Sequence, residues 1–156
     1  MSTTLPKPAE IAKLLSSLLG SNISLQPAAD RSSTCTDGFA SLCHDDNRAP
    51  VLAFVANARA GAYMGGKLMM LPEGRLEEAA ASGELDEVLI EALSEVFNNL
   101  TVPFNAIADN PHIASEPAEP VQAVAARAPW IAKPSQVLEL KADLLGGDGR
   151  LVVLVK

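Results

Sequence analysis

Glu95 and Asn98 are the two residues of this chain whose types and spacing best support chemistry. Three positions apart, they become neighbours on one turn if the segment around them is helical. A carboxylate supplies a fixed negative charge. A carboxamide can donate to and accept from a water molecule while carrying no charge of its own. The pair therefore presents one charge and one water-orienting group to a partner. The segment is strongly patterned: Leu85, Val88, Leu89, Ala92, Leu93, Val96 and Leu100 recur at spacings of three and four and predict one buried stripe. At about 100° per residue, Glu91, Ser94, Glu95 and Asn98 project from the opposite side. Asn99 falls nearer the apolar stripe and is expected to bond local backbone.

Other reactive residue types are less well arranged. Cys35, Cys43, His44, Asp45 and Asp46 lack the paired spacing of a metal site, and Asp45-Asp-Asn-Arg48 reads as a turn. No metal or other cofactor of the protein's own is expected. His112 follows Pro111 with no acid or nucleophile partner in sequence and is read as structural. Gly61-Ala-Tyr-Met-Gly-Gly66 is not followed by the Lys-Ser/Thr of a phosphate-cradling loop, so its glycines are expected to serve close packing. Met64, Met69 and Met70 read as core filler, and the acidic residues between Glu73 and Glu87 as a solvated face.

The elements that must hold the pair can be followed along the chain. Pro6 and Pro8 precede an amphipathic helix over 9–19, with Gly20 as its C-terminal cap. Ile23 and Leu25 alternate with polar residues and predict a strand ended by Pro27, and residues 30–37 predict a loop or exposed edge. Residues 39–43 and 51–55 predict two strands joined by the turn at 45–48. A glycine-bearing helix is predicted over 57–71, a helical turn over 75–81, and the long helix over about 84–101. Residues 103–120 hold four prolines and predict a loop with at most a short strand. Residues 121–125 and 137–144 predict strands, and a glycine-rich turn at 146–149 leads to a last strand at 151–155. Without regular βαβ alternation, this order predicts an α+β fold: an antiparallel sheet with the long helices packed on one face.

Length and charge bound the rest. A chain of 156 residues matches one domain, 1–156. Its formal charge of −7 argues against nonspecific nucleic-acid or anionic-membrane binding, and suits a partner that presents lysine or arginine. No apolar run approaches the roughly 20 residues that cross a bilayer. No secretory pattern is seen at the N-terminus, and two cysteines make no disulfide framework. The expected location is cytoplasmic.

The order of elements and the Glu95-Val-Phe-Asn98 motif together resemble the CheC/CheX family of chemotaxis phosphatases, and the CheX branch more closely. The similarity runs through Leu18-Leu-Gly20, Leu52-Ala-Phe-Val55, Ala62-Tyr-Met-Gly65, the helix with Glu-x-x-Asn, a proline-rich passage and a closing hairpin. The resemblance implies hydrolysis of the phosphoaspartate on a response-regulator receiver such as CheY. It implies that Glu95 ion-pairs with a receiver lysine and that Asn98 orients the attacking water. Mg²⁺ is then expected on the receiver, and a homodimer formed by pairing sheet edges is implied. Two positions depart from the family pattern: no Gly follows Asn98, and Glu91 stands where Asp or Ser is common. The first helix offers Glu10-x-x-Lys13, without the amide, which fits one site and not two. Flagellar switch proteins of related architecture make a non-catalytic receiver-binding or scaffold domain the alternative expectation.

Overall fold

The protein, a computed structural model describing residues 3–156, begins with helix α1 (Pro8–Leu19). Pro8 suits its first turn, and Gly20 closes it with a φ of 67°, a conformation open to glycine at little cost. The short strand β1 (Gln26–Pro27) and helix α2 (Thr34–Asp37) lead into β2 (Phe39–His44) and β3 (Pro50–Ala56). Three helices follow: α3 (Ala58–Leu68), α4 (Glu73–Ser82) and α5 (Glu87–Asn105). The chain continues through β4 (Ala114–Ser115), β5 (Glu119–Pro120), α6 (Val121–Arg127) and a 3₁₀ turn (Pro129–Ala132), and closes with the hairpin of β6 (Gln136–Leu144) and β7 (Gly147–Val155).

All strand pairs are antiparallel, in the order β1-β6-β7-β3-β2-β4, with β5 also on the outer side of β2. The middle strands β3 and β7 pair from Leu52 opposite Val155 to Ala56 opposite Leu151. They are buried on both faces, which explains why they read as unbroken apolar runs. Helices α1, α3 and α5 cover one face. There Phe54 of β3 meets Phe97 and Phe104 of α5 at ring-centroid distances of 5.8 and 5.4 Å. The long helices thus share one face of an antiparallel sheet, as the order of elements predicts. The other face is covered by short pieces: Val121, Val124 and Ile131 pack on Ala40, Leu42, Val55, Val152 and Leu154.

Gly65 and Gly66 explain how α3 comes so close to its neighbours. A Cβ on Gly65 would stand 2.9 Å from the carbonyl oxygen of Leu89 in α5, and one on Gly66 would stand 1.9 Å from Leu76 Cδ2 in α4. The packing role expected of these glycines is what the structure uses them for.

Several local expectations are corrected. Residues 121–125 form helix α6: Val121, Val124 and Ala128 recur at helical spacing, and that periodicity outweighs the β preference of valine. The first strand pairs at Gln26–Pro27 and not at Ile23–Leu25. It is an outer strand, where the missing N–H of Pro27 costs no ladder bond. Residues 34–37 form a helical turn, and α5 runs on through Pro103 to Asn105. Met64 is buried, but Met69 and Met70 stand exposed past the end of α3. No helix among the described residues is long and apolar enough to cross a membrane.

Candidate functional site

The site is a face of α5, and the position of that helix is set at both ends. Asp86 caps it, its side chain accepting from the Leu89 amide at 2.9 Å while pairing with Arg75 at 2.7 Å. Those two bonds stabilise the ionised carboxylate and lower its pKa, the Leu89 amide contributing most. At the far end, Asn105 bonds the backbone of Ile113 twice, accepting from its N–H at 2.8 Å and donating to its carbonyl at 3.0 Å. Between these ends, Leu89, Ala92, Leu93, Val96, Phe97, Leu100 and Phe104 are buried against the sheet and α3. Phe97 belongs to this stripe: at about 100° per residue it falls between the buried Phe104 and Thr101, and its ring stacks on Phe54 of β3. Val88 does not belong to it. It lies about 100° from the centre of the buried arc and stands exposed.

Glu95 and Asn98 are both exposed on consecutive turns of this anchored helix. Glu95 has no salt-bridge partner among the described residues. Its carboxylate takes a long contact of 3.4 Å from Asn99 Nδ2, which chiefly donates to the Glu95 carbonyl at 2.9 Å. Asn99 therefore bonds local backbone, as its position predicts. An exposed carboxylate left without a cation on a rigid helix is available to a cation from outside.

Asn98 has a neighbour that no local signal predicted. Ser115 Oγ on β4 donates to Asn98 Oδ1 at 3.4 Å. Oδ1 keeps a second lone pair, and Nδ2 donates to no other group among the described residues. The strap carrying Ser115 is stitched along α5: Ser94 Oγ accepts from the Ala118 amide at 2.8 Å, and Asn105 holds Ile113. The same strap is tied to the sheet, with Glu116 N–H donating to the Leu42 carbonyl at 2.8 Å and Ser41 Oγ donating to the Glu116 carbonyl. Ser94, read from the sequence as projecting away from the core, is half-buried because the strap covers it. Neither Ser94 nor Ser115 could be assigned from the sequence alone, since their partners lie on different elements.

The remaining candidate groups do not come together. Cys43 faces the core under α1, α3 and α5, whereas Cys35 packs against the other side of the sheet. Burial raises the pKa of both thiols, Cys43 the more strongly. His44 pairs with Glu116 at 3.1 Å, and His112 with Asp46 at 3.2 Å on the open surface. Among the described residues no group of three or more His, Cys, Asp or Glu is arranged to hold a metal ion.

Glu95 and Asn98 stand exposed on the helix face and line neither of two large clefts. Clefts of about 500 Å³ and about 560 Å³ lie elsewhere, the first beside Tyr63, Lys141 and Arg150 and the second beside Thr3, Asp45 and Lys156. An exposed helix face suits a macromolecular partner that supplies its own pocket.

No protein-family model matches the chain, and no curated protein matches it in sequence. Solved structures do match. A chain of the CheX–CheY–BeF3–Mg²⁺ complex from Borrelia burgdorferi aligns over 97% of this chain and 98% of its own length, with a TM-score of 0.58 and 15% identity. The FliM middle domain from H. pylori aligns over 95% of this chain and 84% of its own, at a TM-score of 0.63 and 10% identity. Thermotoga maritima FliY aligns over 94% and 82%, at 0.59 and 14%. The chain therefore has the CheC/CheX fold, an architecture these flagellar proteins share. The resemblance carried by the Glu95-Val-Phe-Asn98 segment holds at the level of the fold.

Proposed function

We propose that this protein is a cytoplasmic phosphatase that hydrolyses the phosphoaspartate of a CheY-like response-regulator receiver in chemotaxis or two-component signalling. The observation that supports it most is the exposed Glu95, without a cation among the described residues, beside Asn98 on a helix anchored at both ends, within a CheC/CheX fold. Glu95 takes a lysine of the receiver and fixes the approach. Asn98 enters beside the acyl phosphate, where Oδ1 accepts a hydrogen bond from the water and Nδ2 donates to a neighbouring oxygen. The water oxygen bonds to phosphorus as the bond to the aspartate oxygen breaks. The aspartate leaves as a carboxylate, and the water's protons remain with phosphate and solvent. Phosphoryl transfer asks mainly for in-line positioning and charge stabilisation, so a neutral amide that does not repel the phosphate is suited to the task. The receiver brings the Mg²⁺, and this chain contributes no metal of its own. The occurrence of a matching chain in a CheX–CheY–BeF3–Mg²⁺ complex favours a receiver as the partner.

The protein acts as a homodimer in this reading. Strand β1 and the Ala28 amide engage β6 only at Glu139, Leu140 and Lys141, and in this reading a second sheet pairs along the rest of that edge. Light scattering that returned 16.3 kDa at high micromolar concentration would count against the dimer.

A second reading keeps the fold and drops the chemistry. The missing Gly after Asn98 and the likeness to FliM and FliY favour a receiver-binding or scaffold domain. Following the decay of a phosphorylated receiver with and without the protein separates the two. Faster decay that depends on Asn98 supports the phosphatase, and binding without acceleration supports the scaffold.

A further inference from the structure

Four large hydrophobic side chains are exposed among the described residues: Met69, Met70, Val88 and Val102. The two valines are on α5, 41% and 55% exposed, and each stands seven residues from Glu95. Seven residues are close to two helical turns, so Val88, Glu95 and Val102 form one row, with Glu91 and Asn98 beside it. At about 100° per residue all five side chains fall within an arc of about 80°, and the row is about 21 Å long. Neither valine belongs to a core cluster, and together they place apolar side chains at both ends of a solvated polar pair.

We infer that Val88 and Val102 are the apolar anchors of a docking ridge, apolar at each end and acidic in the middle, whose occupant is a receiver domain with a basic group between two apolar patches. This rests on the receiver reading above and extends it from the reacting pair to the surface that selects the partner. Charge complementarity chooses this occupant. Glu91 and Glu95 interrupt the row, and neither meets a cation among the described residues. An anionic membrane would be repelled by those carboxylates, and they would keep the valines from inserting together. A second copy laid on the ridge about a two-fold axis would set the same acids against one another. A lysine-bearing groove with apolar rims satisfies both parts of the ridge, in the usual pattern of buried anchors around a polar contact.

The test uses Val88→Ser and Val102→Ser, singly and together, with Met69→Ser as the control for exposed apolar surface elsewhere. Each is titrated against CheY-type receivers loaded with beryllofluoride and Mg²⁺, and the decay of the phosphorylated receiver is followed at saturating protein. Each valine variant should raise Kd about 3- to 10-fold. The saturated decay rate and the melting temperature should match wild type, and Met69→Ser should bind as wild type does. If the valine variants bind normally while Glu95→Ala binds weakly, the ridge is wrong and the proposed site stands. If wild type binds none of the receivers, the ridge and the proposed function fall together. A melting temperature that drops with each serine would make the valines structural and overturn the inference. So would valine variants that turn a wild-type dimer into monomers, or that lose binding to anionic vesicles shown by wild type.

Discussion

Two sets of charged residues lie on opposite sides of the sheet, and they obey opposite rules. On α5, Glu95 is exposed and lacks a cation among the described residues. On the other face, Arg150 of β7 is 4% exposed and has three acidic partners. It donates to Glu139 at 2.7 Å, to both oxygens of Asp148 at 2.9 and 3.0 Å, and to Asp30 at 3.2 Å. The hydrogen bonds to these carboxylates, Asp148 foremost, raise the Arg150 pKa, and the guanidinium in turn lowers that of Asp30. Lys141 lies directly opposite Arg150 across the strand pair, and Glu139 stands diagonally to it. A carboxylate removed from water must be paired, or its burial costs several kcal/mol. A carboxylate left in water needs no partner and is free to acquire one. Pairing therefore marks the charges that hold the fold, and its absence on a rigid, exposed helix marks those available for recognition.

The largest expected effect falls on the open side. Asn98→Ala should slow decay of the phosphorylated receiver by about 10² or more while binding persists, because the lost contacts matter chiefly in the transition state. Its stability should stay within about 0.5 kcal/mol of wild type by urea denaturation. A loss of stability as large as the loss of rate would erase the distinction between the two regions.

Removing Arg150 should show the reverse pattern. Arg150→Ala leaves Glu139 buried without its cation and should cost about 2–3 kcal/mol of stability. That lies at or below the typical cost of breaking a deep pair, because Asp30 and Asp148 reach the surface. The double change Arg150→Met with Glu139→Leu should recover much of it, since an apolar pair has no unpaired charge. Urea midpoints for the single and double variants check this. Under the proposed function, the decay rate of phosphorylated receiver per folded molecule should stay near wild type in both.

Glu95→Ala should weaken receiver binding about fivefold at low salt, and the difference should shrink as ionic strength rises. Salt-independent weakening would point to a desolvated pair and bring Glu95 closer to the buried kind. Ser115→Ala should lower the saturated rate about two- to fivefold at unchanged Kd, because the hydroxyl steadies one end of a carboxamide that can still bond water without it.

The smallest expected effect concerns pH. Asp86 has its carboxyl held below the ordinary 3.8 by the Leu89 amide and Arg75. A depressed folded pKa stabilises the fold above the unfolded value and loses that contribution as pH falls through the folded one. Asp86→Ala should therefore melt lower than wild type at pH 7, and the two curves should converge below pH 3.8. Parallel curves down to the acid limit would assign the cap a role independent of its charge.

Much of this protein was legible in one dimension, and the reason differs by element. The α5 stripe was readable because helical burial follows a period set by the backbone, whatever the neighbours. Strands β3 and β7 were readable as apolar runs, and Gly20 as a cap. Residues 121–125 were misread because two valines among alanines satisfy strand and helix alike, and only the packing of Val121 and Val124 on the second face decides between them. Met69, Met70 and Val88 were assigned to the core because apolar side chains usually go there. Whether a neighbour covers them depends on elements distant in sequence.

The same division separates the two charged regions. The sequence by itself determined that Glu95 and Asn98 share one side of a helix, since three residues at about 100° each leave no other arrangement. It could not show that Glu95 lacks a cation among the described residues, that Ser115 reaches Asn98 from 17 residues away, or that Arg150 meets Glu139 across a hairpin. Those contacts depend on strand register and on the path of the strap, which are properties of the folded chain. Local geometry is dictated by bonded neighbours and a fixed period. The state of a charge is dictated by whatever the rest of the chain brings within a few ångströms of it.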